Sequence, residues 1–303
     1  MFSTKSGAAK LAIVSVSLLV LIKVVASILT GSISILADAF HSALDLIAAV
    51  IAFFGVRVSD RPADEQHPFG HGKAENVSSI VVAGLILTAA GIIAYTAVQR
   101  LIVGATLELI GLGIYATAAA IVINILISRY LLRVSRNTDS LALEAEAGHL
   151  FSDVLSSCAV LVGLIVVRLT GLTILDPIVA LLVALFILKV GYDVLRQSFG
   201  GLIDVKLPEA EEVEIESCIV EHYSEVVGFH ELRTRKAGSW RFIELHLVMP
   251  KHASVEEAHR MCDHLEQDLE NRLTHTSVTI HVEPCTIECE QCSVSCSLRK
   301  KSY

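Results

Sequence analysis

The chain has 303 residues, of which 53% are hydrophobic and only 18% charged. Soluble globular domains carry about 25% charged residues, so this composition argues against a wholly soluble protein. It also excludes a disordered chain, a collagen and a small disulfide scaffold. Residues 1–200 carry 13 basic and 13 acidic side chains, whereas residues 201–303 carry 11 basic and 19 acidic, so the net charge of −8 lies entirely in the last third. This acidic surplus gives no support for a nucleic-acid partner, which would require a basic face.

Six apolar stretches in residues 1–200 are long enough to cross a bilayer, which takes about 20 residues each. They lie at about residues 11–30, 33–57, 77–99, 108–132, 143–168 and 176–197. The first is interpreted as a retained helix, because it is longer than a signal-peptide core and no small-residue cleavage site follows it directly. Basic residues are concentrated on one side of the stretches, which predicts cytoplasmic N- and C-termini. We therefore predict an all-α six-helix transmembrane domain over residues 1–200.

Residues 201–284 are predicted to form a small α+β cytoplasmic domain with the order α-β-β-α-β, ferredoxin-like or metallochaperone-like, with the helices on one face of an open sheet. Pro208 and the glutamates after it are typical of a helix start. The elements that follow are predicted at Val226–Arg235 (strand), Trp240–Met249 (strand), Ser254–Leu273 (helix) and Ser277–Val282 (strand). Residues 285–303 are a Cys-rich tail.

The second and fifth apolar stretches each contain a His-x3-Asp pair, His41 with Asp45 and His149 with Asp153. Ionisable groups inside a bilayer are costly and mark functional sites, and an i,i+4 spacing puts both side chains of a pair on one helix face. One such histidine alone would equally suit a hydrogen bond between helices, but two matching pairs predict a metal site. Asp38, one turn before His41, is left either as an outer partner of the site or as a polar residue near the surface.

The donor set of the two pairs suits a tetrahedral divalent metal, since histidine nitrogen and carboxylate oxygen are both zinc ligands. Two carboxylates also offset the charge of a 2+ ion in a medium of low dielectric. The only cysteine nearby, Cys158, lies beyond Asp153 on the fifth stretch. Copper(I) is therefore disfavoured, and an all-oxygen set would have favoured magnesium or manganese.

A second cluster lies in the polar segment between the second and third stretches. Asp64, His67 and His71 have the spacing of metal ligands, and Gly70 and Gly72 allow the backbone to fold around an ion. The alternative is a solvated polar loop. All four histidines of residues 1–200 belong to this cluster or to the two pairs, which favours metal binding.

Together these features resemble the cation diffusion facilitator family of divalent metal/proton antiporters. The resemblance covers nearly the whole chain, including the six stretches, the paired motifs, the loop from Pro62 to Glu75 and the α-β-β-α-β domain. It implies that the two His-x3-Asp pairs form the transport site and that the loop cluster binds metal at the cytoplasmic membrane surface. Bacterial members often have Asp at the position of His41, and histidine there resembles zinc-preferring members. Cadmium, cobalt, iron(II) and manganese stay open as cargo.

The resemblance also implies a metal site in the cytoplasmic domain that is associated with a homodimer. Its implied ligands are His230, His246, His259, His281 and Glu283. Many relatives have Asp where this chain has the longer Glu283, which leaves the denticity of that carboxylate open. The remaining histidines of this domain match no family position and are expected to be solvated; they are His222, His252, His264 and His275.

Two further features concern the domain junction and the tail. Lys73 and Asp204 match a family charge pair that locks the loop to the membrane-exit hinge. The tail departs from the family pattern, and its four cysteines would share one face if the tail were helical; they are Cys285, Cys289, Cys292 and Cys296. In a reducing cytoplasm such spacing favours metal over disulfides. The alternative is a disordered tail in which the cysteines are incidental.

The sequence therefore predicts a homodimeric antiporter in the lipid bilayer that exports a divalent cation, zinc foremost, in exchange for protons by alternating access. Zn²⁺ is expected as both substrate and regulatory ligand, without an organic cofactor and without enzymatic activity. The rival hypotheses are a membrane-anchored metal sensor without flux, which would not need buried ionisable pairs, and an intramembrane metalloprotease, for which the H-E-x-x-H motif is missing. No long His-rich loop separates stretches four and five, which favours a prokaryotic plasma (inner) membrane.

Overall fold

The computed structural model describes residues 4–30, 33–103, 111–170, 174–222 and 226–286, and in several helical stretches, among them 33–41, it describes the backbone alone. The chain divides into two compact units, Met1–Leu202 and Ile203–Tyr303. The first unit is helical and apolar, and the second contains a small sheet.

Six long helices build the first unit. They are α1 (Lys5–Thr30), α2 (Ile33–Ser59), α3 (Lys73–Val103), α4 (Gly111–Thr138), α5 (Leu141–Thr170) and α6 (Leu175–Leu202). Among the residues searched, three segments are long and apolar enough to cross a membrane: Lys5–Val25, Lys73–Ile102 and Pro177–Leu202. The chain therefore has a helical membrane domain, and the count of six crossings stays a prediction.

Small apolar residues let these helices pack closely. One buried cluster joins α1, α2, α4 and α5 and includes Ala8, Ala12 and Leu150. A second joins α3, α5 and α6 around Ile86. Close approach between membrane helices depends on small side chains; at Gly55 of α2, for example, a Cβ atom would collide with the side chain of Ser78 on α3. Helix α5 contributes to both clusters and so lies between the two groups of helices.

The second unit has the predicted order α-β-β-α-β. Its elements are α7 (Glu209–Glu221), β1 (Gly228–Ala237), β2 (Trp240–Met249), α8 (Val255–Arg272) and β3 (Thr276–Pro284). The sheet has the order β1-β2-β3. Strands β1 and β2 form an antiparallel hairpin, and β3 pairs parallel to β2 after the α8 crossover. A parallel pair requires such a long connection.

The core of this unit lies between the sheet and its two helices. Ile243, Leu245 and Leu247 of β2 alternate toward the core, where they meet Ile219 of α7 and Leu265 of α8. Alternation along a strand sends the intervening side chains to the opposite face. The three strands carry three of the histidines singled out in the sequence, His230, His246 and His281.

Candidate metal centres

Helices α2 and α5 bring three of the four paired residues together. His149 Nε2 lies 3.4 Å from Asp45 Oδ1, and one donor atom each of Asp45, His149 and Asp153 lies within 4.8 Å of the other two. Asp45 is 8% exposed and His149 is 4% exposed. His41 lies on α2 four residues before Asp45, and its side chain is outside the described part of the chain, as is that of Asp38.

A small polar cavity of about 60 Å³ adjoins this cluster and is lined by Asp45 and Asp153. Its walls also include Lys23 of α1, Ser42 of α2 and Asn124 of α4. Lys23 Nζ donates a hydrogen bond of 2.8 Å to Ser42 Oγ. A cavity of this size accommodates an ion with a water molecule. Lys23 was not among the residues predicted from the sequence, although a lysine in an apolar stretch is the same kind of functional signal as the paired histidines.

Glu146 is a second residue that the sequence analysis missed. It lies on α5, three residues before His149 and seven before Asp153, and it is 1% exposed. Neither of its carboxylate oxygens has a hydrogen-bond partner within the described residues, and the same is true of His149 Nδ1. Buried polar groups without partners are rare in native proteins and require an explanation. Glu146 could have been recognised from the sequence, because Glu146, His149 and Asp153 have the i, i+3, i+7 spacing that places ionisable residues on one face of a helix.

The chemistry of this cluster fits a divalent cation. An imidazole and carboxylates meet in a buried space, where a 2+ ion would neutralise charge that the apolar surroundings penalise. Nitrogen and oxygen donors without thiolate suit zinc and the other borderline divalent ions. A cation in this space would therefore be favoured both by its ligands and by electrostatics.

The loop cluster between α2 and α3 comes together around one carboxylate. Asp64 Oδ1 lies 3.3 Å from His67 Nδ1, and Asp64 Oδ2 lies 3.4 Å from His71 Nε2. The two imidazole rings are 4.4 Å apart, centre to centre. The backbone N–H of His67 donates to Asp64, and this hydrogen bond lowers the pKa of the Asp64 carboxyl below its usual value. The carboxylate is therefore held in its charged, metal-binding form.

A backbone contact orients one histidine of this loop. His71 Nδ1 donates a hydrogen bond of 3.2 Å to the carbonyl oxygen of Pro62. Because a carbonyl oxygen only accepts, a proton is placed on Nδ1, and Nε2 is the nitrogen that faces Asp64 and could bind a metal ion in place of a proton. A backbone carbonyl is a common second partner of metal-bound histidine.

The register of the three strands brings together three histidines of the cytoplasmic domain. His230 pairs with His246 across the hairpin, and His246 pairs with His281 on the parallel strand. Glu283 Oε1 lies 2.9 Å from His246 Nδ1, and Glu283 Oε2 lies 3.2 Å from His230 Nε2. His281 Nε2 is 3.7 Å from Glu283 Oε1. The longer glutamate thus directs one oxygen to each of two imidazoles.

His259 is the implied ligand that is set apart from this sheet cluster. It lies on α8, where its Nδ1 is 3.6 Å from Asp263 Oδ1. His259 and Glu283 nevertheless line the same open groove, together with Val282 and Pro284. Its role as a ligand stays a prediction.

The predicted charge pair and the tail are only partly described. Lys73 Nζ donates to the carbonyl oxygen of Leu202 at 3.4 Å, and Asp204 Oδ1 lies 3.8 Å from Arg235 Nη1. The pairing of Lys73 with Asp204 stays a prediction. Cys285 follows β3 with its side chain partly buried, whereas Cys289, Cys292 and Cys296 lie outside the described residues.

One expectation about the remaining histidines is wrong. The side chain of His222 is only 12% exposed, and its Nε2 lies 3.3 Å from Asp268 Oδ2. No periodic pattern along the chain indicates that His222 is buried, because its burial depends on how the end of α7 packs against α8. This histidine joins a fourth group of donors with His264 and Asp268.

Comparison with known proteins places both units in one family. The family model described as "cation efflux transmembrane domain" matches residues 9–203. The chain belongs to the cation efflux, or cation diffusion facilitator, family. A second model, "cation efflux protein, cytoplasmic domain", matches residues 207–285. As a member of this family the chain is a cation efflux transporter of a membrane and is not an enzyme.

Individual members of the cation efflux family match most of the chain. The uncharacterised transporter sll1263 of Synechocystis is 38% identical over 263 residues, which is 87% of this chain and 85% of that protein. The cation-efflux pump FieF of Citrobacter koseri is 37% identical over 285 residues, 93% of each chain. A solved structure of CzrB in its zinc form is 41% identical and covers 26% of this chain and 90% of its own, with a TM-score of 0.26.

Proposed function

We propose that this transporter exports divalent cations, zinc foremost, from the cytoplasm in exchange for protons. The observation that carries the proposal is the convergence of Asp45, His149 and Asp153 from two helices in a buried space within the membrane domain. A helix bundle that only anchored a soluble domain would gain nothing from burying these charges, since ionisable groups at membrane depth are costly. The proposal therefore favours transport over a sensor without flux.

The proposed topology has six membrane crossings, one for each of α1 to α6, with both termini in the cytoplasm of a plasma (inner) membrane. The asymmetric distribution of basic residues supports this orientation. Residues 1–200 then form the transport domain, residues 201–284 a cytoplasmic regulatory and dimerisation domain, and residues 285–303 a tail whose cysteines would bind metal.

The proposed transport site consists of the two carboxylates and the imidazole described above, with His41 as the fourth ligand. A histidine binds metal only through a deprotonated nitrogen, so zinc and protons compete for the same atoms. When the site opens inward, zinc displaces protons; when it opens outward, protons displace zinc. Rocking of the helices that carry the site against their neighbours would alternate access.

Zinc is proposed as the foremost cargo because of the donor types. Imidazole nitrogen combined with carboxylate oxygen suits zinc, whereas an all-oxygen set would suit magnesium or manganese. Cadmium, cobalt and iron(II) accept similar donors and are the competing cargo. The relatives named above support cation efflux without distinguishing these ions.

The loop cluster and the sheet cluster are proposed as additional zinc sites. Zinc at His230, His246, His281 and Glu283, with His259 joining across the groove, would favour one arrangement of a homodimer. Zinc in the cytoplasmic domain would then bias the transport equilibrium, and cargo would change the affinity of the cytoplasmic sites by the same factor. Lys73 and Asp204 would couple the two domains as a charge pair.

Purified protein in proteoliposomes tests the proposal. Zinc uptake should be accompanied by proton movement in the opposite direction, and Asp45→Ala or Asp153→Ala should abolish both fluxes. Asp193→Ala, which removes an exposed carboxylate from α6, is the matched control and should retain transport. Full transport by Asp153→Ala would contradict the assignment of the site. A panel of zinc, cadmium, cobalt, iron(II) and manganese at two pH values would show whether zinc is transported fastest.

A further inference from the structure

Three donor side chains meet on the helices of the cytoplasmic domain. His222 directly follows the last residue of α7, and His264 and Asp268 lie four residues apart on α8. One donor atom of each lies within 4.8 Å of the other two. These residues belong to the helices, whereas His230, His246 and Glu283 lie on the strands. None of the three belongs to the proposed transport site, the loop cluster or the sheet cluster.

The distances within this group are close to those of metal ligands. His222 Nε2 and His264 Nε2 lie 3.3 Å and 3.8 Å from Asp268 Oδ2. The two imidazole rings are 5.0 Å apart and meet at 78°. Two ligand atoms around a tetrahedral zinc, each at about 2.0–2.1 Å from it, are about 3.3 Å apart. Only small side-chain movements would therefore bring all three donors onto one ion.

A backbone hydrogen bond prepares His222 for this role. His222 Nδ1 donates to the carbonyl oxygen of Cys218 at 2.9 Å. Since the carbonyl only accepts, a proton lies on Nδ1, and Nε2 is the nitrogen that faces Asp268 and the position of the proposed ion. The same arrangement orients metal-bound histidines in many proteins. At 12% exposure, the His222 side chain is also held by packing.

The charges around the group favour a cation. Within the described part of the chain, the ion-pair contacts of Asp268 are made to the two imidazoles alone. The nearest guanidinium along α8, that of Arg272, is bound by Glu214 and Glu221. Asp268 is therefore left to balance a positive ion.

We propose that His222, His264 and Asp268 form a divalent transition-metal site that joins the end of α7 to α8. Two imidazole nitrogens with one carboxylate oxygen select zinc and similar ions over magnesium and calcium. A bound ion would cross-link the two helices that cover the sheet and would stabilise the cytoplasmic domain. The site is independent of the transport pathway, and its test does not require flux.

The test uses the full chain in detergent with His230→Ala and His246→Ala in the background, so that the sheet cluster does not contribute. Zinc bound per protomer is measured by equilibrium dialysis. Thermal unfolding of the cytoplasmic domain is followed by the fluorescence of Trp240, the one tryptophan of the chain. Adding His222→Ala and His264→Ala should remove one bound zinc ion and the zinc-dependent rise in the unfolding temperature. His252→Ala, at an exposed position outside the group, should change neither.

A second variant distinguishes the loss of a zinc ligand from misfolding of the domain. Asp268→Asn keeps the size of the side chain and should leave the metal-free unfolding temperature near that of the parent, while zinc affinity at the site falls at least tenfold. With Co²⁺ as the probe, the visible absorption of a tetrahedral site should fall by the same amount in this variant. If Asp268→Asn binds as much zinc as its parent with the same affinity, the proposal is overturned and the group is an imidazole–carboxylate contact only.

Discussion

Lys5 donates a hydrogen bond of 3.0 Å to Glu75, which ties the first residue of α1 to the first turn of α3. Glu75 is fully buried, and it also accepts hydrogen bonds from Ser59 at the end of α2 and from Ser140 just before α5. One carboxylate thus joins the ends of four helices. This buried junction lies directly after the loop that holds Asp64, His67 and His71.

Removing the positive charge from this junction should destabilise the membrane domain. Lys5→Met leaves the buried Glu75 carboxylate without its cation, and breaking one partner of a buried ion pair costs about 3–5 kcal/mol. We expect a lower thermal unfolding temperature, measured by circular dichroism in detergent. Lys10→Met, at an exposed position on the same helix, should have little effect. Adding Glu75→Gln to Lys5→Met should restore part of the loss; no recovery would show that Glu75 is not the relevant partner.

Neutralising Glu146 should weaken cation binding without unfolding the protein. The buried Glu146 carboxyl lies on the helix that carries His149 and Asp153, and in its ionised form it would add a third negative charge to those of Asp45 and Asp153, in surroundings where charges interact strongly. Glu146→Gln should lower zinc affinity at the transport site by about tenfold or more, a change of roughly 1.4 kcal/mol. Titration calorimetry would measure this change in a full-length variant in which the histidines of the loop cluster and of the sheet cluster have been replaced by alanine.

The control for Glu146 lies two residues earlier on the same helix. Glu144 is less buried, and its Oε2 lies 3.4 Å from Gln197 Nε2. Glu144→Gln removes the same charge from a different face of α5 and should leave affinity nearly unchanged. Equal losses in the two variants would indicate a general effect of net charge and contradict a specific role for Glu146.

A side chain at Gly70 should disturb the loop cluster. Gly70 has a φ of +79°, and its N–H donates to the carbonyl oxygen of His67 at 2.9 Å. An L-residue in this left-handed region costs about 1–2 kcal/mol. Gly70→Ala should therefore weaken zinc binding at Asp64, His67 and His71 by roughly tenfold, measured as bound zinc at a fixed free concentration.

Gly72 provides the matched control for Gly70. Among the glycines that the structure describes, only Gly70 and Gly238 have a positive φ. Gly72→Ala thus adds the same methyl group to the same loop without the left-handed penalty. If both alanine variants lose zinc equally, the effect does not come from the backbone conformation at Gly70.

The acid sensitivity of the cytoplasmic domain should depend on Glu283. The hydrogen bond from His246, together with the charge of His230, lowers the pKa of the Glu283 carboxyl below its ordinary value of 4.5. A carboxyl with a lowered pKa in the folded state stabilises that state above the unfolded-state pKa and loses this contribution as pH falls through the folded-state pKa. The metal-free wild-type should therefore lose stability faster than Glu283→Gln as pH falls below about 4.5.

Trp240 fluorescence at a series of pH values would measure this difference in the full chain. The gap in unfolding temperature between wild-type and Glu283→Gln should be constant between about pH 5 and pH 6 and should shrink below about pH 4.5. Glu270→Gln, an exposed change on α8, should follow the wild-type curve. A gap that does not change with pH would show that Glu283 acts through packing and not through its charge.

Short-range patterns made much of the architecture predictable. The two His-x3-Asp pairs and the order α-β-β-α-β follow from helix and strand periodicity, and the spacing from Asp64 to His71 is readable within one short loop. The comparisons confirm the family that these motifs indicated. His222 was predicted to be solvated, and this was wrong because no periodic pattern links the end of α7 to the face of α8.

The sequence alone thus determined which residues share a face of one helix or one strand, because those relations span only a few residues along a regular backbone. It therefore specified the pairs on α2 and α5, whereas the histidines on β1, β2 and β3 were implied by the resemblance to a known family. Only the tertiary structure decided which faces meet across elements. The contact between Asp45 and His149, the buried Glu146 and the group of His222, His264 and Asp268 all depend on how separate helices pack, and packing is set by the whole surface of each helix and not by any single motif.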